Sequence, residues 1–236
     1  MTIAIPRLLG AAVLVPAFLA FPACGSSSSS DVSASSPTKS AAEPPASKTT
    51  TGAEATIQEV GFGQQDEYVW TTALVKNETS DAGQTVTVHF NLKDAKGKVV
   101  ASGDQVSAFN WAGQAVPIGT QISAPQHVEI ASVDATVDVE DDGIGTASDD
   151  WGTFKGNLYK DYGQWAARFT VKNPTDKPLK GSALQIICVN ATGDIIGGDA
   201  EFPELIPASG VTVVDSTNLY LSEKPASCTG YLTPWM

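Results

Sequence analysis

Histidine, cysteine and basic residues are scarce in this chain, and each scarcity removes a class of function. There are two histidines, His89 and His127. They lack the close spacing of a zinc pair, and no Gly-x-Ser-x-Gly elbow, phosphate-cradling loop or Gly-x-Gly-x-x-Gly fingerprint accompanies them. Alternation places His89 on the outward face of a strand, and His127 follows Pro125-Gln126 ahead of a β-like run; both read as solvated surface residues. Lys and Arg total 14 against 26 Asp and Glu, a formal net charge of −12. That sign repels polyanions and anionic lipid alike, so no nucleic-acid partner is expected, and a basic patch is not what would hold the chain at a membrane. Helical periodicity is missing beyond the leader, which counts against the two α/β lobes of a solute-binding protein. Neither a cofactor nor a metal is required by any motif.

What is present begins with an export leader. Arg7 and the α-amino group make a short positive region, and Leu8 to Phe21 is apolar but interrupted by Pro16, too short for a transmembrane helix. Residues 1–23 therefore read as a signal peptide. Cys24 follows Ala23 and precedes Gly25 and a run of serines, an arrangement that resembles the bacterial lipoprotein signal, in which the cysteine is lipidated and becomes N-terminal. Phe21 and Pro22 depart from the aliphatic and small residues usual before that cysteine. Ordinary secretion with cleavage nearby is the alternative. Residues 24–55 then form a Ser-, Thr-, Pro- and Ala-rich tether, with too little apolar surface to offset the entropy of ordering it.

The remainder is organised around a stretch that occurs twice. Val75-Lys76-Asn77-Glu78-Thr79 leads through a β-like segment to Asp94-Ala95-Lys96-Gly97, and Val171-Lys172-Asn173-Pro174-Thr175 leads to Asn190-Ala191-Thr192-Gly193, 96 residues later at both anchors. Val86, Val88, Phe90 and Leu92 alternate with polar residues, so one face packs inward. Leu184, Ile186 and Cys188 correspond to Val88, Phe90 and Leu92, and Trp165, Ala167, Phe169 and Val171 form the inward face of the preceding strand. The Asp- and Asn-led turns have the residue preferences of type I turns. Trp111-Ala112-Gly113 and Pro207-Ala208-Ser209-Gly210 look like matching turns before a later strand. The expected fold is all-β, two tandem immunoglobulin-like antiparallel β-sandwiches. Their boundaries are 56–140 and 151–236, joined by an acidic linker at 141–150. A small barrel is the competing architecture.

The sequence of strand, V-K-N-x-T, strand, D/N-A-x-G and two β-branched residues resembles the FxLYD-type domain, a small β-sandwich module of bacterial secreted proteins and lipoproteins. The aromatic motif that names that family is not conserved in this chain. The resemblance implies an actinobacterial-like lipoprotein with two extracytoplasmic interaction or structural modules, and it carries no enzymatic activity with it.

With Cys24 lipidated, Cys188 and Cys228 remain as an even pair in an exported chain. Both have inward parity on core strands, so a disulfide between them would resemble the inter-sheet bridge of many sandwiches. A redox or nucleophilic thiol is the alternative, but no histidine lies near either one in sequence.

The acidic junction is the one stretch with possible ligand chemistry. Asp138, Glu140 and Asp142 alternate ahead of Gly143, and Asp149 stands where a calcium loop places its bidentate ligand. Gly145 where an aliphatic residue belongs, and strands in place of flanking helices, favour a solvated linker instead. Among aromatics, Trp70, Trp111 and Trp235 fall off the inferred core faces. They would either bind a glycan or partner protein, or cover a second sheet or the joint between repeats.

These readings converge on a non-catalytic cell-surface lipoprotein, anchored to the bacterial cell membrane by its lipid, that binds or scaffolds another envelope protein or a glycan. The alternative is an exported hydrolase or accessory enzyme whose site assembles from distant residues.

Overall fold

The alternating run from Val86 to Leu92 forms the central strand of one sheet, and its four apolar side chains are completely withdrawn from water. The computed structural model describes residues 54–235; the leader, Cys24 and the tether as far as residue 53 lie outside them. Repeat one consists of β1 (Ala55–Gln65), β2 (Tyr68–Asn77), β3 (Gln84–Lys93), β4 (Val99–Phe109), β5 (Ala115–Ser123) and β6 (Ser132–Glu140). Strands β4-β3-β6 make one antiparallel sheet and β1-β2-β5 the other. Between them lies a core built from Val75, Val86, Phe90, Leu92, Phe109, Ile118 and Val133, among others. The first strand begins at Ala55, which is buried in that core, so the tether ends one residue earlier than the composition suggests.

Repeat two follows the same plan with β7 (Thr153–Lys155), β8 (Asn157–Asp161), β9 (Gln164–Lys172), β10 (Ser182–Val189), β11 (Ile195–Glu201), β12 (Val211–Ser216), β13 (Tyr220–Leu221) and β14 (Ser227–Pro234). Its sheets are β12-β9-β8 and β13-β11-β10-β14-β7. A second core joins Phe169, Val171, Leu184, Ile186, Ile206, Leu219 and Leu232. The pairing of β9 with β12 reproduces that of β2 with β5 in register, Val171 facing Thr212 where Val75 faces Val116. The first strand differs. In repeat one it pairs with β2 throughout, with a bulge between Ile57 and Glu59. In repeat two the chain breaks at Gly156, so β7 pairs with β14 in one sheet and β8 with β9 in the other.

Both turns close as the sequence suggests. Asp94 accepts at its carboxylate from the Lys96 and Lys98 N–H groups, and its carbonyl accepts from Gly97 N–H at 2.9 Å. Asn190 does the same for Thr192, Asp194 and Gly193. The glycines hold φ of 76° and 99°, a conformation that costs a residue with a Cβ about 1 kcal/mol or more.

The two sandwiches pack against each other within one compact unit. The outer face of β1-β2-β5 lies on the outer face of β10 and β11, with β13 at the edge. This explains why Ala183, Gln185 and Ile187 are buried as well as Leu184, Ile186 and Cys188: β10 is covered on both sides, and a strand so placed reads as a continuous apolar run. Approach is close because glycine stands at the contact. A Cβ on Gly61 would come 2.2 Å from the Ile195 carbonyl oxygen, and one on Gly63 2.1 Å from that of Tyr220. Polar groups stitch the same joint: Glu59 Oε1 accepts from Ile195 N–H at 2.9 Å, and Gln65 Nε2 donates to Leu219 O at 2.8 Å.

The acidic stretch 141–150 is therefore not the means by which the repeats are held together, nor is it simply solvated. Asn110 Nδ2 donates to Thr146 O at 2.7 Å, and Ser148 N–H donates to Asn110 O at 2.9 Å. The segment is strapped along the end of repeat one before Trp151 packs against the second core.

Candidate functional site

The residues singled out in the sequence do not gather in one place. Cys24 lies outside the described residues. Cys188 and Cys228 are joined, but within one sheet: they are directly opposed on β10 and β14, with Cα atoms 4.1 Å apart. The expected inter-sheet bridge is thus corrected. Inward parity is necessary for such a bridge but does not say which sheet holds the partner, and the two strands turn out to be neighbours. Register gives the counterparts in repeat one as Leu92 and Val133, also directly opposed and fully buried.

The calcium reading is not supported by the geometry. Asp138 and Glu140 belong to β6, and Asp138 Oδ2 engages His89 Nε2 at 3.1 Å. Asp142 turns back to accept from Thr85 Oγ1 at 2.7 Å and from Ile144 N–H at 3.0 Å, which holds its carboxyl below the usual range, the backbone bond foremost. Asp149 is exposed beyond the strap. Among the described residues no three His, Cys, Asp or Glu side chains converge to hold a metal. Strand geometry separates what a helix-flanked loop would gather.

His89 is more than a solvated surface residue. Its Nδ1 lies 2.7 Å from Asp104 across β4, and Asp138 approaches the other nitrogen. These carboxylates, Asp104 first, raise the imidazole above its ordinary value. His127 takes a φ of 62° and lines an open cleft of about 420 Å³ with Gln64, Asp66, Glu67 and Glu129. No serine, threonine or cysteine lines it.

The tryptophans divide. Trp70 is buried in the joint between repeats, its Nε1–H without an acceptor, so the second of the two alternatives holds for it. Trp165, expected in the core, is only half-buried at the start of β9, with Lys160 Nζ 4.0 Å from its ring centroid. Trp111 is half-buried in its turn. Trp235 is 46% exposed and meets Phe202 edge to face, centroids 4.6 Å apart.

Phe202 and Trp235 lead to a feature that pattern reading missed. Phe202, Leu205, Val211, Val213 and Trp235 are each about half exposed, all in repeat two. Beside them an open groove of about 390 Å³ runs between β11 and β12, lined by Glu201, Phe202, Leu205, Val213, Val214 and Asp215. The carboxylates in it and behind it differ in state. Asp215 is clamped by Arg168, whose Nε and Nη2 donate at 2.6 and 3.0 Å and hold the acid below its ordinary range. Asp199 accepts from Ser216 Oγ at 2.7 Å, yet burial pushes it up. Glu201 is pushed up to about 7, by burial first and then by the negative charges of Asp199 and Asp215. Neither Glu201 nor Asp199 forms an ion pair with a basic side chain among the described residues. The signal that could have revealed this groove is a comparison of the copies: where repeat two has Asp199, Glu201, Val213 and Asp215, repeat one has Gly103, Gln105, Pro117 and Gly119.

No family model matches the chain, and no curated protein matches it. Among solved structures, the transglutaminase of red sea bream is similar over 78% of this chain and 28% of that one, at 10% identity and a TM-score of 0.24. The chain thus spans little more than a quarter of that protein's length, and a likeness so loose carries no argument about activity.

Proposed function

We propose that the protein is a non-catalytic binding or scaffolding module of the bacterial cell surface, held at the membrane by a lipid on Cys24. The observation that supports this reading best is that half-exposed Phe202, Leu205 and Val213 line one groove of repeat two, with half-exposed Trp235 against Phe202. Contiguous apolar residues rimmed by polar ones are characteristic of surfaces that meet a partner. The close stacking of the two sandwiches suits such a role, because it presents that flank on a stiff body. The disulfide fits an oxidising compartment, and the Ala23-Cys24-Gly25 junction supplies the anchor.

Two measurements test it. Mass spectrometry of the mature protein from bacterial membranes should find an acylated cysteine at residue 24, and recovery of an unacylated chain solely from the medium would remove the anchor. Photo-crosslinking on intact cells, from a probe placed near Trp235, should capture an envelope component. Absence of any crosslinked species from probes on all faces would remove the binding role.

A further inference from the structure

The groove between β11 and β12 is bounded by two strand edges that lack partners. In its sheet β12 pairs only with β9. On β11, β13 pairs with Gly197 and Gly198 alone, so Asp199 to Glu201 have no strand partner on that side, and the Asp199 carboxylate takes up the Ala200 N–H. An open edge presents backbone N–H and C=O groups to any extended chain, and proteins ordinarily block such edges with proline, charge or a covering segment.

Repeat one blocks the equivalent edge. Pro117 on β5 opposes Leu74, in the same register in which Val213 on β12 opposes Thr170. A proline has no N–H, so a residue at this position donates nothing to the neighbouring strand within the sheet and points its nitrogen outward. Behind that edge β4 lies close under β5 at Gly103, where a Cβ would come 2.9 Å from the Ile122 side chain. In repeat two the outward N–H is restored at Val213, which is 57% exposed with Val211 at 55%. The gap there is lined by Glu201, with Asp199 behind it. The copies share a fold, and they differ at the features that close an edge.

We infer that this groove binds an extended segment of a partner protein, added as a strand along β12, with apolar residues on Phe202, Leu205 and Val213 and a lysine or arginine directed at Glu201. Strand addition gives affinity through main-chain hydrogen bonds and specificity through alternate side chains. Unpaired, partly buried carboxylates select a cation there. A second copy of this chain is disfavoured as the occupant, because β12 set against β12 would bring the Glu201 and Glu204 carboxylates that line the groove of each copy toward one seam. The groups facing Glu201 are Asp199 on β11 and, on β12, Ser216 and Asp215, the last already neutralised by Arg168 from β9; none supplies the missing positive charge. This inference rests on the reading of the chain as a binding module.

The test is a calorimetric titration of the whole mature protein with a capped peptide six residues long, the length of β12, alternating valine and lysine, and with its counterpart carrying glutamate for lysine. The lysine peptide should bind and the glutamate peptide should not. Val213→Pro, which installs the repeat-one residue, should weaken binding about tenfold or more while leaving the thermal midpoint near that of the parent. Glu201→Gln, again the repeat-one residue, should weaken it several-fold and remove the strengthening expected between about pH 6 and pH 8 as Glu201 ionises. This second variant changes no backbone group, so it reads the groove even if the proline variant folds poorly. Equal affinity for the two peptides, unchanged affinity in both variants, or no binding of the lysine peptide would overturn the inference. So would a concentration-dependent dimer abolished by Val213→Pro, which would make a second copy the occupant. A partner crosslinked elsewhere on the surface would leave the binding role intact while this groove failed.

Discussion

Asn77 and Asn173, 96 residues apart, occupy one position in the two sandwiches, and each is completely buried at the end of its strand. The Oδ1 atom of Asn77 accepts from the backbone N–H and hydroxyl of Thr79, at 2.9 and 2.8 Å, while its Nδ2 donates to Asp81 O and Trp111 O. Asn173 accepts from the same two groups of Thr175 and donates to Lys177 O, Ile206 O and Pro207 O. In each copy the amide ties the turn after one strand to the turn before another in the same sheet. The V-K-N-x-T motif is thus a buried clamp as well as a strand terminator. Asn173→Ala strands several buried polar groups at once, each unpaired group costing about 1–3 kcal/mol. A loss of about 3 kcal/mol in urea unfolding is expected. Asn173→Asp should be no better, because it sets a carboxylate against three carbonyls. A loss within about 0.5 kcal/mol, typical of a surface change, would show that water replaces the amide.

The disulfide closes a loop across a sequence separation of 40 residues. In the chain-entropy treatment that constraint stabilises by roughly 4 kcal/mol. Reduction should lower the unfolding free energy by about that amount. Replacing the pair by the repeat-one residues, Cys188→Leu with Cys228→Val, should lose less than a double serine replacement, because Leu92 and Val133 show that this pair packs in the same register. Equal losses in the two double variants would mean that packing at this site contributes little.

The joint between repeats predicts its own failure. Gly63→Ala places a methyl group about where the Tyr220 carbonyl oxygen lies, since the Cβ separation is 2.1 Å. Backbone cannot yield as a side-chain tip does, so the repeats must separate, at an overpacking cost of about 1–3 kcal/mol. Trp70 would gain water, and its fluorescence should shift to the red. An unshifted spectrum with unchanged stability would place the close contact elsewhere.

Glu201 makes stability depend on pH. Its folded value of about 7 lies above the ordinary 4.5, so the folded state holds a proton that the unfolded state has lost. The favourable contribution is complete below about pH 4.5 and is lost as pH rises through about 7. Solvent screening of a half-exposed group reduces its size to about 1 kcal/mol. Glu201→Gln should flatten the profile across that window and stabilise the protein at about pH 8. A parallel profile in the variant would assign the proton to another group.

The sequence by itself determined the duplicated plan. Strand alternation from Val86 to Leu92, the Asp94 and Asn190 turns and the shared asparagines are local signals, set by side-chain period and by short-range hydrogen bonds. These depend on neighbours a few residues away. They therefore survive in a one-dimensional reading, as did the pairing of two inward-facing cysteines. What only the tertiary structure decided depends on which surfaces meet. The linear order of strands does not say whether Cys188 and Cys228 share a sheet, whether Trp70 covers a partner repeat, or why β10 is apolar on both faces. The acidic residues near 140 look like a ligand loop in sequence, but β6 holds them in extended geometry and His89 and Thr85 engage two of them. The groove is the clearest case. Asp199, Glu201 and Asp215 are unremarkable along the chain, and they face one another only because two sheet edges end there, one of them lacking the proline that closes its twin.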